Sequence, residues 1–231
     1  MITLADLREF LPGLLVATEI TLELTVVAFS IALVLALVLA LARMSTSRLW
    51  RLPATVVVEF FRGTPLLFQL FAVYYILPSW NIRLDPFPAS VVALGLNYSA
   101  YMSEIYRAGI LSIDRGQVRA ARALGMTYPL LMRRIVLPQA IRVVIGPLGN
   151  YLISMFKDTS LASIVTLKEV MFQGEIMAAS TFQQVPIFIM VGFIYLVISY
   201  PSSLGVQAVE RRMKQRRRRP LRAQAPAISR V

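Results

Sequence analysis

Two acids, an arginine and several amides and hydroxyls are set into otherwise apolar stretches of this chain. Glu59, Arg62, Thr64 and Gln69 lie within the apolar segment 53–77. Asn97, Tyr101 and Glu104 fall at i, i+4 and i+7 within 88–113, so they share one helix face. Lys157, Asp158 and Ser160 follow the apolar segment 138–156. Charges at membrane depth are costly and usually line an interior path. Pro65 cannot donate to a helix, and with Gly63 beside it a kink or opening is expected there. Backbone groups freed at that depth survive only beside protein or water, where a ligand can use them. A polar solute could use that equipment: a cation or N–H groups would meet an anionic group, and an anion or carbonyls a cationic one. The competing reading is structural, with Glu59–Arg62 and Glu104–Arg107 as i,i+3 ion pairs and with Asn97 and Thr64 joining helices. Catalysis is poorly served. The chain has no Cys and no His, so thiolate nucleophiles, disulfides, the usual zinc or iron sites and the commonest general base are absent.

The elements that must position these groups are membrane helices. The chain is 57% hydrophobic, above the usual share for a soluble domain of 231 residues. Segments 26–42 and 187–198 are almost wholly apolar. A span needs roughly 20 residues, and five are expected: 18–42, 53–77, 88–113, 138–156 and 186–206. Four of these open on Pro, which suits a first helical turn. The fold class is therefore an all-α integral membrane protein. The net charge of +12 is distributed by topology, not as a nucleic-acid surface. With five spans, nineteen basic residues fall on one side, in 43–52, 107–142 and the tail from 209, against Arg8, Arg83 and Lys168 on the other. The N-terminus is expected outside and the C-terminus inside. The first span is read as an uncleaved anchor, since the residues before it are not basic and no small-residue cleavage site follows. Residues 1–208 form the membrane domain, and 209–231 form a basic cytoplasmic tail that anchors topology or meets anionic lipid.

Between the third and fourth spans, residues 112–137 form a loop with its own helix signals. Residues 117–124 are strong helix formers and Gly125 is placed for a left-handed cap. A short Ala-rich helix, a glycine turn and a second short helix make a knob that fits a partner's groove, or else a solvated loop helix.

The loop resembles the coupling motif of ABC importer permeases, in which Glu-Ala-Ala is followed by three residues, Gly, and then Ile-x-Leu-Pro. Here Ala120 and Ala121, Gly125, and Ile135 to Leu137 and Pro138 keep that spacing, and Arg119 stands at the Glu position. Phe60-Phe61-Arg62-Gly63-Thr64-Pro65-Leu66-Leu67 and Lys157-Asp158-Thr159-Ser160-Leu161 are similar to motifs of the polar amino-acid (histidine, glutamine, arginine and opine type) permeases. The resemblance covers nearly the whole chain. It implies a type I importer permease in a bacterial cytoplasmic membrane, paired with an identical or paralogous permease. It also implies cytoplasmic ATP-binding subunits, an extracytoplasmic solute-binding protein, no nucleic acid, and no cofactor of its own. Coupling to the ATPase is then expected at Arg119, Ala120, Ala121, Gly125, Leu137 and Pro138. The alternative is a secondary carrier, although five spans without an internal repeat are few for one. No clustered nucleophile and base suggests an enzyme, and no selectivity filter suggests a channel.

Overall fold

The computed structural model of the chain describes residues 4–215, so the arginine run at 216–219 lies outside the described residues. Those residues form nine α-helices. Helix α1 spans Leu4–Met44 and α2 spans Arg48–Gly63. Helix α3, Leu66–Phe71, continues through a π turn at Ala72–Ile76 and a 3₁₀ turn at Leu77–Trp80. Helix α4 is Pro86–Leu111 and α5 is Arg115–Ala123. Helix α6, Tyr128–Leu131, runs through a π turn at Met132–Val136 into α7, Leu137–Asp158, which ends in 3₁₀ turns over Thr159–Val165. Helices α8, Val170–Thr181, and α9, Gln184–Gln215, complete the chain.

Three runs are long and apolar enough to cross a bilayer alone: Arg8–Met44, Tyr128–Val165 and Gln184–Met213. The pair Arg48–Gly63 and Leu66–Trp80, bent by 106°, is a fourth if counted as one span. Helix α4 matches the expected third segment and has 26 residues, but its polar side chains leave it less apolar than these. It is instead the helix around which the others gather, packed by α1, α2, α3 and α7. A polar helix can stand in a membrane when protein, not lipid, covers it.

The α1–α4 contact is the most extensive in the fold. Leu24, Ala28, Ala32, Ala36 and Ala40 recur every fourth residue along α1, and all are fully buried. Alanines in such a ridge let two backbones approach closely, which is the main source of helix attraction where the solvent is as apolar as the side chains. Tyr98 and Met102 of α4 belong to the same buried cluster. Where α4 crosses α7, a Cβ placed on Gly109 would lie 2.2 Å from Val144 Cγ1.

The prolines follow the sequence expectation in part: Pro88 and Pro186 lie in the first turns of α4 and α9. Pro53 lies inside α2, and Pro138 sits within the continuous helical run Tyr128–Val165. The π turn at Met132–Val136 ends two residues before Pro138 and widens the helix where a backbone donor is missing. Helix α9 continues to Gln215 without a break at 208–209.

Glu169 is fully buried at the start of α8. It accepts from Met171 N at 2.9 Å and Phe172 N at 2.8 Å, and the Tyr195 hydroxyl of α9 donates to it at 2.7 Å. Val170 N donates to Thr21 Oγ1 of α1, so one capping corner ties three helices together. Burial pushes the Glu169 carboxyl up to about 7, although the backbone donors and Tyr195 oppose it.

Two measurements on detergent-solubilised protein follow. Gly109→Ala should lower the thermal midpoint, on the scale of an overpacked site at about 1–3 kcal/mol. Adding Val144→Ala should recover part of the loss, whereas additive losses would show that the crossing tolerates the extra methyl. The Glu169 carboxyl is held above its ordinary range, so the folded state retains a proton that the unfolded chain releases. Stability should therefore be greatest below the ordinary carboxylate range and fall as pH rises through about 7. Glu169→Gln should flatten that slope between pH ~5 and ~8.

Candidate functional site

Helix α2 stops at Gly63, and Thr64 and Pro65 are extended. The opening expected from Gly63 and Pro65 is present. The carbonyls it strands are recovered by side chains. Gln69 Nε2 donates to Phe61 O at 2.9 Å and Thr64 O at 3.1 Å. Asn97 Nδ2 of α4 donates to Phe61 O at 3.2 Å and to Gln69 Oε1 at 3.1 Å. The Tyr101 hydroxyl donates to Arg62 O at 3.2 Å, and Thr64 Oγ1 donates to Phe60 O at 2.9 Å. Gln69 and Asn97 are buried, as a polar pair must be when its bonds are made inside the protein.

Beside the break lies a cavity of about 310 Å³, lined by Thr64, Pro65, Leu66, Asn97, Tyr98, Tyr101, Tyr151, Ser154 and Asp158. That is the lower end of the range for small-molecule sites. Asp158 is its one charged wall. The Tyr98 hydroxyl donates to Asp158 Oδ2 at 2.7 Å and fixes the carboxylate. Tyr151 meets Tyr98 edge-on, with centroids 5.9 Å apart, and stacks with Tyr101 at 6.2 Å. A carboxylate among aromatic rings suits a cation: the ring faces carry negative quadrupole and the acid supplies full charge.

The structure therefore brings Thr64, Asn97, Tyr101 and Asp158 to one cavity. Lys157 is exposed and absent from the lining. Ser160 Oγ donates to Lys157 O at 2.8 Å, a local bond within the turn after α7. Sequence reasoning did not find Tyr98, Tyr151 or Ser154. The signal was available: Tyr151, Ser154 and Asp158 are at i, i+3 and i+7, a polar stripe on α7 like the one on α4.

Adjoining the cavity is a five-membered charge network. Both i,i+3 pairs form: Arg107 Nη2 lies 2.8 Å from Glu104 Oε2, and Arg62 Nη1 lies 3.9 Å from Glu59 Oε1. They are joined into one network by Arg43, a residue the sequence reading took for a topological loop charge. Arg43 pairs with Glu104 and also lies 3.3 Å from Glu59. Arg62 reaches Glu104 at 3.4 Å. Arg43 is only 13% exposed and Glu104 22%, against 59% for Glu59, so Glu104 is the electrostatic centre and Glu59 its solvated rim. Three cations face two anions. Arg62 also sits 5.6 Å from the Tyr101 ring centroid, so Tyr101 is a wall shared by the network and the cavity.

The loop after α4 folds into the expected knob. Asp114 Oδ1 caps α5, accepting from Gly116 N and Gln117 N. Gly125 is left-handed at φ +76°, and Gly125 N and Met126 N close back on Arg122 O and Ala121 O. This is a Schellman ending, and a side chain at that φ is strained. Ala120 is exposed, but Ala121 is buried against Ile113, Leu131 and Val136. Ala121 therefore holds the knob together and does not face outward. Gln139 Nε2 donates to Gln117 Oε1 at 2.8 Å, fastening α5 to the start of α7, where Leu137 and Pro138 are exposed.

Residues 32–215 match the model of the binding-protein-dependent transport system inner membrane component family. The chain belongs to that family. It is a permease subunit of the ABC importer type. It is 44% identical over 207 residues to the L-cystine transport system permease protein TcyB of Bacillus subtilis, covering 89% of this chain and 88% of that one. Identity to the arginine transport system permease protein ArtQ of the same organism is 40% over 205 residues, covering 88% and 94%. Identity to the octopine transport system permease protein OccM of Rhizobium radiobacter is 40% over 171 residues, covering 69% and 70%. Among solved structures, an amino acid ABC transporter crystallised with histidines superposes with a TM-score of 0.87 at 35% identity, over 92% of this chain and 99% of that one. The permease thus shares the type I importer fold, with its break, cavity and knob in one subunit.

The network sets unequal costs. Glu104→Ala removes the partner of three arginines and should destabilise the solubilised permease by about 1–3 kcal/mol. Glu59→Ala, at the exposed rim, should cost less than about 1 kcal/mol. Thermal unfolding of both variants checks this. Equal losses would mean that the network has no centre.

Proposed function

We propose that this permease carries a polar amino acid, or an opine-like derivative, from an extracytoplasmic solute-binding protein into the cytoplasm. Partner subunits bind and hydrolyse ATP, and a second permease, identical or paralogous, completes the pathway. Five spans, with the N-terminus outside and the C-terminus inside, follow from counting α4 as a shielded span and from the asymmetry of basic residues. The membrane is the bacterial inner membrane.

The observation that carries the reading is the cavity with one fixed carboxylate, Asp158, among three tyrosines beside a broken helix. Asp158 and the rings receive the substrate's ammonium. Arg62, on Tyr101 and in a network with one surplus cation, receives its carboxylate on the way inward. Thr64 and Asn97 keep the break open, Glu59 and Glu104 hold Arg62 in place, and Lys157 and Ser160, which flank Asp158 in sequence, gate its approach. The relatives' names support this class: cystine, arginine and octopine are amino acids or amino-acid derivatives. Coupling occurs through the knob. Arg119, Ala120, Leu137 and Pro138 offer its surface, while Ala121 and Gly125 set its shape.

The test is uptake of a panel of labelled amino acids into proteoliposomes containing the assembled transporter. Asp158→Asn should reduce uptake about tenfold or more, the scale for losing one charge-assisted contact. Tyr151→Phe should be tolerated and Tyr151→Ala should not. Normal uptake by Asp158→Asn, with the protein present in the membrane, would overturn the assignment of the cavity.

A further inference from the structure

The outer face of α5 carries one kind of charge. Arg115, Arg119 and Arg122 are at i, i+4 and i+7, and so form a single stripe, and all three are exposed. None pairs with a carboxylate among the described residues. Asp114, the one acid against six arginines between 112 and 142, is engaged in capping α5. Next to the stripe, Ala120 and Ala123 are small and exposed, Leu124 is 83% exposed, and Tyr128 is 63% exposed. The knob thus presents cations, a close-approach surface and two large apolar side chains together.

Two classes of anionic partner could meet such a face: lipid headgroups or a protein. A helix that lies on a bilayer puts its apolar side into the lipid. The apolar side of α5, Val118 and Ala121, is already packed against Ile113, Leu131 and Val136. What remains outward fits a protein groove: small residues beside an arginine stripe, flanked by Leu124 and Tyr128. Three like charges on one face repel one another in water and gain most from a surface of opposite sign.

We propose that the groove on the ATP-hydrolysing subunit that receives α5 is lined with carboxylates, and that Arg119, at the middle of the stripe, pairs with one of them. This rests on the reading that α5 docks on that subunit, and the experiment separates the two. The chain has no cysteine, so Ala123→Cys gives a unique attachment point for a photo-crosslinker. The probe is the ATP-hydrolysing subunit that copurifies with the wild-type permease, and the crosslinked peptide is identified by mass spectrometry. A crosslink at an Asp- or Glu-bearing segment of that subunit is expected. Arg119→Glu should weaken association about tenfold or more at ~0.1 M salt, and less at ~1 M, where screening is short-ranged. Arg119→Lys should retain most of the affinity, which guards against a folding defect. Replacing the crosslinked acid by Arg should restore Arg119→Glu. If the crosslink forms but Arg119→Glu binds as the wild type does, the acid-lined groove is wrong and docking stands. If Ala123→Cys never reaches the ATP-hydrolysing subunit, docking itself is wrong and the proposal falls with it. Equal binding of the two forms in detergent, with activity following the anionic-lipid fraction of proteoliposomes instead, assigns the stripe to lipid and overturns the proposal.

Discussion

Pro65 has no N–H, and the carbonyls around it must find other donors where water is scarce. Much of the architecture answers that constraint. The chain turns through 106° at this point. Gln69 returns from α3 and Asn97 reaches across from α4 to the same Phe61 carbonyl, while Tyr101 takes the next one. Helix α4 therefore carries amides and hydroxyls in its middle, and it can do so only because α1, α2, α3 and α7 surround it. The cavity is what the turn leaves open: its walls include the two extended residues, Asn97 and Tyr101 among the donors that satisfy the break, and the facing stripe of α7.

The charge network extends the same logic toward the end of α1. A polar α4 brings Glu104 and Arg107 inward, and Arg43 joins them to the end of α2. The alanine ridge of α1 makes this geometrically feasible, because close backbone approach along Leu24 to Ala40 fixes where Arg43 emerges. Tyr101 then touches both systems, donating to the Arg62 carbonyl and lying under its guanidinium. The cavity is thus separated from the cationic network by one ring.

The knob is independently built. Its small core of Ile113, Ala121, Leu131 and Val136 stands apart from the core around α4, and Asp114 and Gly125 fix its two turns. Through Leu131 and Val136 that core sits on the continuous helical run Tyr128–Val165, and Gln139 fastens α5 to it.

Much of this was written in the sequence. Apolar runs give helices, Gly125 gives the left-handed cap, and Pro65 beside Gly63 gives the opening, because each is a local property of a residue and its neighbours. The i,i+4 and i+7 spacing placed Asn97, Tyr101 and Glu104 on one face for the same reason. Other features depend on distant segments. Whether Pro53 and Pro138 start a helix or interrupt one depended on the residues before them and on a π turn that spacing does not announce. That Arg43 is a network member and not a loop charge follows from the packing of α1 on α4, 61 residues away in sequence from Glu104. Asp158 meets Tyr98 across 60 residues, and Ala121 turns inward while Ala120 turns outward only because α5 folds onto α6 and the π turn after it. Periodicity tells which residues share a face, and tertiary packing alone decides what that face meets.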